Sequence, residues 1–206
     1  MTGVWALVLL ASCGQGEASD FPRAVDPRLK LELFAEAPQI VTPVGIAVDA
    51  RGRVLVIESH THFPPPDYRG PQGDRIRLLE DTNHDGRADK VTTFFEGLQA
   101  TMNLALYPDG SIYVATRSEI LRLKDLDEDG VAEVRESLVK LETPGNYPHN
   151  GLSGFAFDFA GDVYFGMGEN LGADYRLVGA DGTTLRGGGE GGNLYRCDRD
   201  GKRLTR

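Results

Sequence analysis

The sequence predicts an all-β fold of the β-propeller kind, and three observations carry that expectation. Glycine is abundant, 26 of 206 residues, well above the usual ~7 %, which in a foldable chain signals many tight turns. Short apolar, β-branched and aromatic runs of strand length fill the spaces between those glycines. The runs also repeat: the turn glycines Gly52, Gly110 and Gly161 recur after 58 and then 51 residues, and a four-strand unit repeating every ~40–50 residues is the signature of a propeller blade. No stretch of useful length shows the periodicity of a helix.

Each unit opens in the same way. Gly45-Ile46-Ala47-Val48-Asp49 runs into Gly52, Asn103-Leu104-Ala105-Leu106-Tyr107 into Gly110, and Gly154-Phe155-Ala156-Phe157-Asp158 into Gly161. Second strands follow at 53–57, 111–115 and 162–166, third strands at 75–79, 119–123 and 192–196. Fourth strands are read at 91–95, 134–139 and 203–206. A leading strand at 29–34 suits the outer strand of a last, closing blade. Closed propellers hold about four to eight blades, because an open stack leaves blade faces and strand edges exposed. Three to four blades are accounted for here. The expectation is therefore a partial propeller, a piece of a six- or seven-bladed one, or else a unit that assembles with its own copies.

Charge and cysteine content exclude several classes. Lys plus Arg is 22 against 31 Asp plus Glu, a net charge of −9, and so acidic a surface repels a phosphate backbone, which excludes nucleic-acid binding. A hydrophobic content of 40 % excludes global disorder. Cys13 and Cys197 are the two cysteines, too few for a disulfide framework or a cysteine-based zinc cluster.

Residues 4–11 form an apolar run of eight, Val4-Trp5-Ala6-Leu7-Val8-Leu9-Leu10-Ala11, far short of the ~20 needed to stay in a bilayer and suited to the apolar region of a signal peptide. Leu10-Ala11-Ser12-Cys13 resembles the bacterial lipobox, in which the cysteine is lipidated and becomes the mature N-terminus. Met1-Thr2-Gly3 lacks the Lys or Arg that ordinarily precedes such a run, and an ordinary secretory peptide is the simpler alternative. The expected organisation is a signal peptide at 1–13, a flexible tether at 14–28 and the partial propeller at 29–206. Its location is extracytoplasmic, in the periplasm or at the cell surface, with the membrane reached by a lipid anchor only.

Two acidic loops carry the metal expectation. Asp81-Thr82-Asn83-His84-Asp85-Gly86-Arg87-Ala88-Asp89 matches the opening of a calcium loop, and Asp125-Leu126-Asp127-Glu128-Asp129-Gly130-Val131-Ala132-Glu133 matches it again. Calcium takes six to eight hard oxygens, and alternate acidic residues converge when the chain coils around the ion. The expected ligands are Asp81, Asn83, Asp85, the Arg87 carbonyl and Asp89 in the first loop. In the second they are Asp125, Asp127, Asp129, the Val131 carbonyl and Glu133. Position twelve is Thr92 in one loop and Glu136 in the other, so the ninth-position acids are the better completing ligands. The loops join third and fourth strands, which makes a structural role the expected one. An Asp-Gly turn with solvated acids is the plainer reading, and Asp198-Arg199-Asp200-Gly201 in the third unit has too few oxygens for anything else.

His149-Asn150-Gly151-Leu152 precedes the inner strand of the third unit, where a central channel opens, and a histidine there suits a general base near neutral pH. The stretch from His149 through Gly154-Phe155-Ala156-Phe157 to Val163-Tyr164-Phe165-Gly166-Met167-Gly168-Glu169 resembles the soluble quinoprotein glucose/sorbosone dehydrogenases. Glu169 stands where those enzymes carry Asp. The resemblance implies that His149 takes the proton of a sugar or alcohol hydroxyl while hydride passes to pyrroloquinoline quinone (PQQ). A wider stretch, about 29–206, resembles the N-terminal propeller of the bacterial membrane-bound dehydrogenase proteins, often joined to a c-type haem domain. It rests on Pro43-Val44-Gly45-Ile46-Ala47, Glu58-Ser59-His60-Thr61-His62, Gly70-Pro71-Gln72-Gly73-Asp74-Arg75-Ile76, the paired acidic loops, and Gly188-Gly189-Glu190-Gly191-Gly192-Asn193.

That resemblance implies fold and location more strongly than chemistry. It puts the quinone-clamping arginine and the quinone's own calcium in later blades. No Cys-x-x-Cys-His occurs, so no haem site lies in this chain, and electrons would leave through a haem domain or another acceptor. A non-catalytic propeller that binds carbohydrate or protein at the cell surface explains the same features.

Three further features are weaker. His60 and His62 alternate on one strand end, which suits ion pairing with Glu58 or lining of the channel mouth better than a metal pair. Phe63-Pro64-Pro65-Pro66-Asp67-Tyr68 is stiffened by its prolines. The glycines at 187–192 suit a flexible crossing facing the channel.

Overall fold

The computed structural model describes residues 6–8, 22–145, 151–189 and 191–206, with residues 6–8 described as backbone only. Strands β1 (Ala6–Val8) and β2 (Leu31–Leu33) make a two-stranded parallel pair. The first blade then runs as an antiparallel meander, β3 (Pro43–Val48), β4 (Val54–Glu58), β5 (Asp74–Glu80) and β6 (Lys90–Leu98). The second repeats it with β7 (Thr101–Leu106), β8 (Ile112–Thr116), β9 (Glu119–Lys124) and β10 (Val134–Glu142). Among the described residues the helical content is a single 3-10 turn (Asn170–Gly172) between β12 (Val163–Met167) and β13 (Tyr175–Gly179).

The glycines that divide the sequence divide the structure. Gly52, Gly110 and Gly161 close the β3–β4, β7–β8 and β11–β12 hairpins, β11 being Leu152–Phe157. The inner strands β3, β7 and β11 lie against one another in chain order, so successive sheets stack face to face around one side. Their packing alternates as the pleat requires. Leu55, Ile57, Ile76 and Leu78 of the first blade meet Val114, Leu121 and Leu123 of the second. The opposite face of the second blade, with Tyr113, Ala115 and Ile120, meets Leu152, Val163, Phe165 and Tyr195 of the third. The central strands β4 and β8 are buried at every position, as expected of sheets covered on both faces. This is a partial β-propeller.

Two readings need correction. The third blade holds β11, β12 and β15 (Asn193–Cys197), and the expected fourth strand at 203–206 is reduced to a single bridge between Arg196 and Thr205. Arg203 adopts φ 57° and gives its N–H to Asp181 Oδ2 at 2.9 Å, which takes the segment out of extended conformation. In addition, β13 and β14 (Thr184–Gly187) form a hairpin whose first strand pairs with β10, so the second sheet has six strands. The leading segment supplies β2 to the parallel pair, and Phe34, Ala35 and Ile40 cover the outer face of the first blade. It joins no blade ladder among the described residues.

Cys197, at the end of β15, is 1 % exposed, and burial pushes its thiol up to about 12. A thiol that is both buried and neutral is inert. Mass-spectrometric peptide mapping after treatment with a thiol reagent should find Cys197 unmodified in the native protein and fully modified in denaturant.

Candidate metal centre

The two acidic loops are the same backbone turn. Each joins the third and fourth strands of its blade, β5 to β6 and β9 to β10. In each, the fourth position is left-handed, His84 at φ 62° and Glu128 at φ 63°, and the sixth is a glycine, Gly86 at φ 89° and Gly130 at φ 90°. A side chain at the sixth position would be strained, and at Gly130 it would also meet Leu78 Cδ2 at 3.0 Å. The first acid of each loop pins this turn: Gly86 N–H donates to Asp81 Oδ2 and Gly130 N–H to Asp125 Oδ2, both at 2.9 Å.

The side chains then diverge. Ligand oxygens of Asp125, Asp127, Asp129 and Glu133 all lie within 4.8 Å of one another. Oxygens on opposite sides of a calcium ion at about 2.4 Å stand about 4.8 Å apart, so this gathering fits one ion. The backbone fixes one oxygen of each acid. Leu126 N–H donates to Glu133 at 2.7 Å, Asp129 N–H to Asp127 at 3.3 Å and Val131 N–H to Asp129 at 2.8 Å. The second oxygens remain for a cation. Asp125 Oδ1 is buried and has no hydrogen-bond partner, an arrangement that costs about 1–3 kcal/mol unless something satisfies it. A cation held among these carboxyl groups would supply that partner.

In the first loop, Asp81, Asp85 and Asp89 do not gather within that spacing. Asp89 is turned away: its Oδ1 accepts the Thr82 hydroxyl at 2.8 Å and the Thr82 N–H at 3.2 Å, and its Oδ2 accepts the Asn83 N–H at 3.2 Å. The Thr82 hydroxyl, with the backbone behind it, holds the Asp89 carboxyl below its usual range. Leu126 stands at the equivalent position of the second loop and has no side-chain donor, and Glu133 is one methylene longer than Asp89. Asn83 also donates to Asp85 Oδ2 at 3.2 Å. Arg87 and Val131 lie exposed at the seventh positions.

The second loop is tied to the first blade by an ion pair between Glu128 and Arg51, a residue of the β3–β4 turn. Further out, Arg122 is 8 % exposed. Burial works against its charge, yet Glu136 at 2.6 Å and Asp200 at 2.8 Å raise its pKa above the usual guanidinium value. Glu136, the twelfth residue of the loop pattern, is therefore committed to Arg122.

At the opposite ends of the blades, where β3, β7 and β11 begin, the structure holds a buried polar cluster. Glu58 is 1 % exposed and pairs with Arg75 at 2.6 Å. His60 is 4 % exposed, its Nδ1 bonds the Tyr68 hydroxyl and its Nε2 lies 3.5 Å from Glu58. Asp74, fully buried, accepts the N–H groups of His60, Thr61 and Thr101 at 2.7, 2.9 and 2.7 Å. Sequence reasoning paired His60 with Glu58 but passed over Asp74. The Asp74-Arg75 opening of β5 was its signal, an acid at a strand start beside polar residues. His149 and Cys13 lie outside the described residues. Of the glycine-rich crossing, Gly187 ends β14 and Gly189 donates to Gly172 O at 3.1 Å.

Stacked antiparallel meanders with an acidic loop on an outer hairpin define a partial propeller with a candidate calcium centre. The chain belongs to the family described as a domain of unknown function, DUF7133, which matches residues 21–198. No curated protein matches it. Among solved structures it is similar to a carbohydrate-active enzyme of family AA12 from Trichoderma reesei, at 16% identity and a TM-score of 0.47, covering 63% of this chain and 30% of that one. It is similar to the PQQ domain of pyranose dehydrogenase from Coprinopsis cinerea, at 16% identity and a TM-score of 0.42, covering 69% and 34%. It is also similar to virginiamycin B lyase from Staphylococcus aureus, at 18% identity and a TM-score of 0.41, covering 82% and 56%. The chain thus spans about a third of the length of the first two.

Proposed function

We propose that this chain is an extracytoplasmic, calcium-stabilised propeller segment of a quinoprotein dehydrogenase that oxidises a sugar or alcohol. The observation that carries the calcium part is the gathering of carboxylate oxygens of Asp125, Asp127, Asp129 and Glu133 within 4.8 Å of one another, together with a buried Asp125 Oδ1 that has no hydrogen-bond partner. These residues would hold the ion, with the Val131 carbonyl as a further ligand. Its chemistry there is to neutralise the carboxylates and fix the β9–β10 hairpin; the ion has no part in the oxidation.

The quinone part rests on the sequence resemblance. PQQ, when bound, supplies hydride acceptance, and the clamping arginine that the resemblance requires falls in later blades. His149, three positions before β11 in the sequence, is the proposed base, and its proton acceptance from a substrate hydroxyl is the chain's own contribution. Electrons would pass to a c-type haem domain or another acceptor. Lipidation at Cys13 would keep the assembly at a membrane.

The test is reconstitution with PQQ and calcium, with a dye as acceptor, across aldoses and alcohols, on the complete propeller that carries this segment. Turnover that disappears in His149→Ala, with PQQ still bound, is the expected result. A propeller that binds calcium but never PQQ would support the non-catalytic, surface-binding alternative instead.

A further inference from the structure

A cavity of about 1050 Å³ opens at the ends of the blades opposite the starts of β3, β7 and β11. It is walled by the hairpin turns of all three blades, 48–53, 106–112 and 157–159, and by the start of the second acidic loop. Space of this size holds several pyranose rings and sits at the upper end of ligand-site volumes.

The wall has two kinds of surface. Tyr107 and Phe157 pack edge to face, ring centroids 5.1 Å apart, and form an aromatic floor. Beside them Phe159, on the tip of the β11–β12 turn, is 113 % exposed. Its exposed, flat phenyl face suits the C–H face of a sugar ring.

The polar groups select the ligand further. The lining holds five carboxylates against three cations, which disfavours an anion. Two of the cations are committed, Arg53 to Asp49 at 2.7 Å and Arg51 to Glu128. Lys124 makes no salt bridge among the described residues and stands as an available donor. Asp109 accepts the Ser111 N–H on Oδ1 at 2.9 Å, and a carboxylate has room to accept further hydrogen bonds. A hydroxyl both donates and accepts, so a neutral polyol can satisfy Lys124 and Asp109 together, whereas an ammonium offers Lys124 no acceptor and a phosphate brings negative charge against the carboxylates of the wall.

We propose that this cavity is a binding site for a neutral oligosaccharide, with one ring stacked on Phe159 and its hydroxyls bonded to Lys124 and Asp109. The site lies at the end of the blades away from the starts of β3, β7 and β11 and does not rest on the quinone reading. Calorimetric titration with maltohexaose and cellohexaose tests it, beside spermidine as a cation and inorganic phosphate as an anion. Binding of at least one saccharide, weakened about tenfold by Phe159→Ser and about tenfold by Lys124→Met, is the expected result. Phe159 is exposed, so unchanged thermal melting of that variant separates lost binding from lost folding. No saccharide binding at millimolar concentration, full-strength binding in both variants, or binding of spermidine or phosphate alone would each overturn the proposal.

Discussion

Chelation with EDTA is expected to lower the melting temperature of the chain by about 5–10 °C, and added calcium to restore it. A ligand held at a hundred times its dissociation constant stabilises the folded state by about 2.7 kcal/mol, and for a chain of this length each kcal/mol moves the midpoint by about 2–4 °C. The geometry also ranks the loops. Asp127→Asn removes one of the four gathered carboxylates of the second loop and should abolish most of the EDTA-sensitive shift. Asp85→Asn in the first loop should change it much less, because Asp89 there is already bonded to Thr82 and Asn83. Calorimetric melts with and without EDTA check both. A midpoint indifferent to EDTA, or a larger loss from Asp85→Asn than from Asp127→Asn, would remove the calcium assignment of the second loop.

That ranking shows where sequence is legible and where it stops. Position by position the loops match the same pattern, and their backbones do coincide down to the left-handed fourth residue. What separates them is a neighbour outside the ligand pattern, Thr82 against Leu126, whose hydroxyl either captures the ninth-position acid or is missing. The blades were legible for a related reason: a turn glycine and the strand after it are local signals. The β13–β14 hairpin was not. Its alternation at Tyr175, Leu177 and Gly179, all buried, was readable, but its partner strand β10 lies over thirty residues away and in another blade. Pairing of that range is chosen by packing, here of Tyr175 and Leu177 into the core between blades two and three. The same holds for Asp74, whose partners come from segments 14 and 27 residues distant.

Asp74→Ala is expected to destabilise the chain by about 3–5 kcal/mol, because several buried donors would lose their acceptor at about 1–3 kcal/mol each. The carboxylate is fully buried and takes four hydrogen bonds: three to Oδ1 from His60 N–H, Thr61 N–H and the Thr61 hydroxyl, and one to Oδ2 from Thr101 N–H. Thr61 Oγ1 in turn accepts the Ala100 N–H at 2.7 Å. These contacts connect the 60–61 segment, the start of β5 and the start of β7, so one side chain fixes the crossing from the first blade to the second. Alanine would leave three backbone donors buried without partners. Asparagine keeps the shape and the Oδ1 contacts but sets an NH2 group against the Thr101 N–H, so Asp74→Asn should cost about 1–3 kcal/mol. Urea unfolding of both variants measures the difference, with the order alanine worse than asparagine worse than native. Equal stability of all three would mean that the crossing is held by the apolar contact between blades alone, and that the polar cluster at this end is dispensable for folding.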